Sequence, residues 1–86
     1  MNNYSVTALI TAYNEERTIY DIIKRALNYV DKVIVCDDGS SDKTSQKATD
    51  ANAIVIRHEK NLGKGAALKS LFKHAKDIGA DIVVTI

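Results

Sequence analysis

The chain has no proline, a single cysteine and only four glycines among its 86 residues. Without proline, and without a Gly/Ser-rich or low-complexity stretch, it contains nothing that reads as an interdomain linker, so residues 1–86 read as one compact unit. Cys36 stands alone, which excludes an internal disulfide framework and any CxxC or Cys/His zinc spacing, and fits a reducing, cytoplasmic setting. The stretch Met1 to Tyr4 carries no basic segment followed by a long apolar run, so neither a signal peptide nor a transmembrane helix is expected, and membrane contact would need parts not present. Charge of one sign is lacking too: 12 basic and 11 acidic residues leave +1, no general attraction for nucleic acid or an anionic surface. Any phosphate binding must be local. What remains is an ordinary globular balance, 45% hydrophobic and 27% charged, in a chain short enough that its stability is marginal.

Four short apolar runs rich in β-branched residues recur, Val6 to Thr11, Val33 to Cys36, Ile54 to Ile56 and Ile82 to Ile86. Near-continuous Val and Ile, without apolar/polar alternation, is what a parallel strand covered on both faces requires. Between them lie three crossover helices. The first carries Ile19, Ile22, Ile23, Ala26, Leu27 and Val30 on one face, which should pack on the sheet. The last repeats the pattern with Leu68, Leu71, Phe72, Ala75 and Ile78, and Gly79 stands where a left-handed cap is expected. The middle helix, about Asp42 to Asp50, offers little apolar area, and Ser40 or Ser41 is its candidate N-cap. The fold class is therefore α/β, the first half of a doubly wound arrangement with about four parallel strands.

Ligands of such sheets bind beyond the carboxyl ends of the strands. The segments there, Ala12 to Glu16, Asp37 to Asp42 and Arg57 to Asn61, are dense in hydrogen-bonding groups, whereas the opposite ends near Asn3, Asp31, Asn52 and Asp81 are sparser. Asp37 and Asp38 precede Gly39, a residue able to make the sharp turn that a closely approaching ligand needs; each carboxylate either accepts from a base N–H or ribose hydroxyl or caps the turn. Tyr13 either stacks on a base or enters the core. Asn14 is expected to cap the first helix, with Glu15 and Glu16 in its first turn. Asn61-Leu62-Gly63-Lys64-Gly65 opens the last helix and offers amides, a helix dipole and an ammonium to a diphosphate. It is no P-loop, since Gly65 replaces the magnesium-binding Ser or Thr and no glycine stands five residues before Gly63. The GxGxxG fingerprint of dehydrogenases is missing after the first strand, and so is the GxSxG elbow that would turn Ser40, His58 and Asp38 into a hydrolase triad. His58 and His74 read as surface residues.

Three ordered motifs, Thr11-Ala12-Tyr13-Asn14-Glu15-Glu16, Val35-Cys36-Asp37-Asp38-Gly39-Ser40-Ser41-Asp42-Lys43-Thr44 and Asn61-Leu62-Gly63-Lys64-Gly65-Ala66-Ala67-Leu68, resemble family 2 glycosyltransferases. The resemblance runs from Val6 to Ile86 and is nearest the dolichol-phosphate mannosyltransferase and polyprenyl-glycosyltransferase branch. Thr11 stands where proline is commoner and Cys36 where valine is usual, both mild departures. The resemblance implies the Rossmann-like half of a GT-A fold that binds a UDP- or GDP-sugar, with Tyr13 and Asp38 on the base, Thr11, Ala12 and Glu15 lining the nucleoside pocket, Asp37 supporting the turn, and Lys64 near the phosphates. It further implies an inverting reaction with a divalent metal, Mg2+ or Mn2+, held by an Asp-x-Asp motif expected after Ile86, with the catalytic base and acceptor site further on. The 86 residues by themselves are then expected to bind no metal and to transfer no sugar. With the rest of the sheet missing, Ile82 to Ile86 should form an apolar edge beside the first strand and favour self-association. The alternatives are a non-catalytic nucleotide-binding or scaffold half-domain, and a sugar nucleotidyltransferase; the latter needs a glycine-rich, Arg/Lys-bearing loop after the first strand, which this sequence lacks.

Overall fold

The computed structural model describes residues 4–86. Its elements alternate strictly: β1 (Val6–Ala12), α1 (Ile19–Ala26), β2 (Lys32–Asp37), α2 (Thr44–Asp50), β3 (Ile54–Arg57), α3 (Lys64–Asp77) and β4 (Ile82–Thr85). The four strands are parallel, in the order β3-β2-β1-β4. The chain steps from β1 outward to β3 and then returns to the other side of β1, so strand order reverses between β1 and β4.

Side-chain alternation along the central strands divides the core in two. Ala8, Ile10 and Ala12 of β1 and Val33 and Val35 of β2 meet Ile19 and Ile23 of α1 and Ala48 and Ala51 at α2. On the opposite face Leu9, Ile34 and Cys36 meet Ala67, Leu71 and Ala75 of α3. Both faces of β1 and β2 are thus buried, which is why their sequences run apolar without alternation. Each fully buried Leu or Ile contributes roughly 1.5–3 kcal/mol by leaving water, and the alanines let helix backbones lie close to the sheet.

The expected helical faces are narrower in the structure. In α1, Ile19 and Ile23 are buried but Ile22 is 38% exposed, and the helix ends at Ala26, with Leu27 and Val30 packing from the turn beyond. In α3 the buried line is Ala67, Leu71 and Ala75, spaced four apart, whereas Phe72 is 48% exposed. Both outlying side chains belong to the flank around β4, all four residues of which are exposed. The third helix ends as expected, with Gly79 at φ +72° and the Ala80 N–H reaching back to the Ala75 carbonyl. Asn52 (φ +70°) closes α2 in the same manner, with Ala53 bonded to Ala48. At the amino edge of the sheet, Asp31 accepts from the Val6 N–H and Asp81 from the Ser5 N–H, pinning the start of β1; Asn3 lies outside the described residues.

Candidate functional site

The segments leaving β1 and β2 are stitched together by reciprocal hydrogen bonds. Asn14 adopts φ +52°, a left-handed conformation that asparagine tolerates. Its N–H donates to Ser40 Oγ (2.8 Å) and its Oδ1 accepts from the Ser41 N–H (2.9 Å). The Glu15 N–H donates to Thr44 Oγ1, the Glu16 N–H to Asp42 Oδ2, and the Lys43 N–H returns to Glu16 Oε2. These bonds replace the expected caps. Asn14 does not cap α1, which starts only at Ile19, so Glu15 and Glu16 precede its first turn. Neither Ser40 nor Ser41 caps α2; the Asp42 carboxylate takes the Thr44 N–H instead. Cross-loop bonding won because each side chain satisfies a distant amide that would otherwise be left unpaired.

Gly39 is demanded twice over. It sits at φ +79°, and a Cβ there would overlap the backbone at Lys60 and Asn61. The close approach is therefore made by the chain's own third loop, not by a ligand.

The two adjacent aspartates face different tasks. Asp37 is fully buried; its Oδ1 accepts from the Ser40 N–H, and its Oδ2 from the Ser45 hydroxyl and from Arg57 Nη1 at 2.7 Å. Burial works against its charge, but the hydrogen bonds from Ser40 and Ser45 and the Arg57 guanidinium hold its carboxyl below the usual range. Asp38 turns to the third loop. Its Oδ1 accepts from the Leu62 N–H (2.9 Å) and lies 2.8 Å from His58 Nδ1, and its Oδ2 accepts from the Gly63 N–H (2.9 Å). The Leu62 amide first, then His58 and Gly63, hold this carboxyl low as well. Three partners leave about one of the four acceptor positions of a carboxylate unused. Burial, together with Asp38 and Asp37 close by, pushes the Cys36 thiol up to about 11, so this thiol stays protonated.

Above these anchors opens a cleft of about 400 Å³ at the carboxyl edge of the sheet. Thr11, Ala12, Tyr13, Glu15, Asp38 and Lys64 all line it. Asp37 does not; it lies beneath, tying the turn to Arg57. Tyr13 is 49% exposed, which rules out the core reading of its ring. Asn61, Gly63 and Ala67 join the lining, and the Asn-x-Gly-Lys pattern was the signal available for them. A neighbouring cleft of about 320 Å³ shares Thr11 and Lys64 and extends over Leu9 and Phe72 to Thr85, where strand order reverses.

His58 is not a surface residue. Its side chain is 11% exposed, and its Nε2 faces Ser70 Oγ at 2.8 Å, not Ser40. The acid–imidazole–hydroxyl chain so formed has no oxyanion donors beside its hydroxyl, because Ser70 sits in the interior of α3, where the amides are spent on the helix. His74 is half-buried on the same helix. Among the described residues no group of three or more His, Cys, Asp or Glu side chains is placed to hold a metal ion. Asp37 is committed to Arg57, and Asp38 to two amides and His58.

A half of a doubly wound α/β sheet, with a polar cleft over its carboxyl edge built from three successive loops, places the cleft where open α/β sheets bind their ligands. Residues 7–85 match the model of glycosyl transferase family 2, and the chain belongs to that family. It is 36% identical, over 90% of its length and 38% of the relative's, to the UDP-N-acetylglucosamine–dolichyl-phosphate N-acetylglucosaminyltransferase of Methanococcus voltae. It is 34% identical to the dolichyl-phosphate beta-glucosyltransferase of Mus musculus, over 74% of this chain and 25% of that one. Glucosyl-3-phosphoglycerate synthase of Mycobacterium tuberculosis, solved in complex with Mn2+, UDP-glucose and phosphoglyceric acid, superposes with a TM-score of 0.76 at 33% identity, covering 98% of this chain and 33% of that one. The fold is the Rossmann-like half of a GT-A glycosyltransferase, and the chain spans about a third of the length of these relatives.

Proposed function

We propose that this chain is the nucleotide-sugar-binding half-domain of an inverting glycosyltransferase that takes its sugar from a UDP- or GDP-sugar. The observation that carries the reading is the convergence of Tyr13, Asp38 and Lys64, from three separate loops, on one cleft at the carboxyl edge. The exposed Tyr13 ring stacks on the base. The unused acceptor position of Asp38 takes a base N–H, a charge-assisted bond. Lys64 and the unpaired amides at the head of α3 receive the diphosphate. Uridine is favoured over guanine, because the M. tuberculosis synthase it resembles is held with UDP-glucose or UDP. A polyprenyl phosphate is the acceptor class suggested by the dolichyl-phosphate transferases among its relatives.

Transfer itself needs a divalent metal and a base for the acceptor, and with no metal-holding cluster among the described residues the proposed role of this half-domain is to bind the donor, not to transfer from it. The domain works on the cytoplasmic, reducing side, consistent with its lone buried thiol; no helix among the described residues is long and apolar enough to cross a membrane. In isolation the free edge of β4 pairs with a second copy. Calorimetric titration of the chain with UDP, UDP-glucose, GDP and GDP-mannose tests the donor assignment. Saturable binding of the uridine pair above the guanosine pair is expected, the reverse order reassigns the base, and heats of dilution for all four overturn the reading.

A further inference from the structure

From Asp38 a line of side chains runs beneath the cleft through two that the cleft chemistry leaves unused, His58 and Ser70. His58 follows β3, and its own N–H donates to the Asp37 carbonyl at 2.9 Å, so its backbone is fixed beside the end of β2. Nδ1 lies 2.8 Å from Asp38 Oδ1 and Nε2 2.8 Å from Ser70 Oγ, with Cys36 Sγ 3.6 Å from the same nitrogen. An ionised carboxylate only accepts, so Nδ1 carries a proton; in the neutral ring Nε2 is then left to accept from the Ser70 hydroxyl. The imidazole is thereby held at both ends, by Asp38 just beyond β2 and by Ser70 of α3.

We infer that His58, steadied by Ser70, is a positioning residue for this cleft. It fixes the plane of the Asp38 carboxylate. In that plane Asp38 grips the Leu62 and Gly63 amides, which sets Lys64 at the head of α3, and keeps its remaining acceptor position for a nucleobase. Only the last clause rests on the nucleotide reading proposed above. A ring serving packing alone would need neither partner, and an apolar side chain of the same volume would fill the space.

The test uses the 86-residue chain, UDP as ligand, and amide hydrogen exchange as a second readout. The amide nitrogen of His58→Asn falls near the place of Nδ1 and keeps a donor for Asp38. That of His58→Gln falls near Nε2 and keeps only the reach to Ser70. We expect His58→Asn to retain UDP affinity within about threefold and His58→Gln to lose about tenfold, the scale of one charged hydrogen bond. Leu62 and Gly63 amides should exchange faster in the Gln variant alone, with β1 and β2 amides unchanged. Equal affinity and equal exchange in both variants overturn the inference, and so does a uniform rise in exchange across the sheet. If the unaltered chain takes up no UDP, the proposed function fails, and exchange at Leu62 and Gly63 decides the anchoring role of His58.

Discussion

Asp37 and Asp38 are neighbours in sequence with divided roles, and the division follows from which groups reach each carboxylate. Asp37 is bonded by Ser40, Ser45 and Arg57 beneath the cleft, so Asp37→Ala should act on stability. Arg57 is 47% exposed and can turn to water when its partner is lost. The cost is therefore about 1–3 kcal/mol rather than that of a stranded buried charge, read by urea unfolding. The pH dependence follows in sign. Both carboxyls are lowered in the folded state, so their contribution is fully present above the unfolded value of about 4 and is lost as pH falls through the lower folded values. Thermal unfolding should be level from neutral pH to about 5 and fall steeply below about 4; in Asp37→Asn that acid fall should be shallower, and an unchanged slope would contradict the assignment. Gly39 gives a sharper case. Gly39→Ala pays the left-handed penalty of about 1–2 kcal/mol and also displaces Lys60 and Asn61, so it should weaken stability and UDP binding together; a variant as stable as the parent chain would count against the turn described here.

Strands were plainly legible in the sequence because both faces of β1 and β2 are covered, leaving unbroken Val/Ile runs. The central strands extend past the expected runs onto Ala12, Lys32 and Asp37, whose backbones pair, the last two without any apolar side chain to signal it. Helical periodicity located α1 and α3 but not how much of each stripe is covered. That depends on the β4 flank, which no local pattern reports. Leu71 and Phe72 were indistinguishable by spacing, yet Leu71 is fully buried and Phe72 is 48% exposed. Leu71→Ala should cost about 2–5 kcal/mol, and Phe72→Ala less than about 0.5 kcal/mol, measured as denaturant midpoints; equal losses would mean that Phe72 is buried in solution. The helix N-termini and the His58 contacts were illegible for a different reason. Asn14 to Ser41 and His58 to Ser70 are bonds between loops and elements that only the fold brings together. The motif residues of the cleft were legible because three loops carry them in the family's order, while Asp37 took its place below the site through Arg57, a partner twenty residues away.

At the scale of the molecule, three loops share one edge of the sheet and one flank stays bare. Ile82, Val83, Val84 and Ile86 are between 36% and 63% exposed, and among the described residues β4 pairs with β1 alone. An unprotected apolar edge recruits strands, so light scattering should report dimers or larger species of the isolated chain as concentration rises, and Val84→Lys should reduce them; a monomer at every concentration would contradict this. The proposed nucleotide binding in the cleft turns on Asp38. Titration of UDP into the unaltered chain and into Asp38→Ala, each checked for folding by thermal unfolding, tests it most directly. Affinity should be lower by about ten- to a hundredfold in a still-folded Asp38→Ala chain, and unchanged affinity in that folded variant would remove Asp38 from the site.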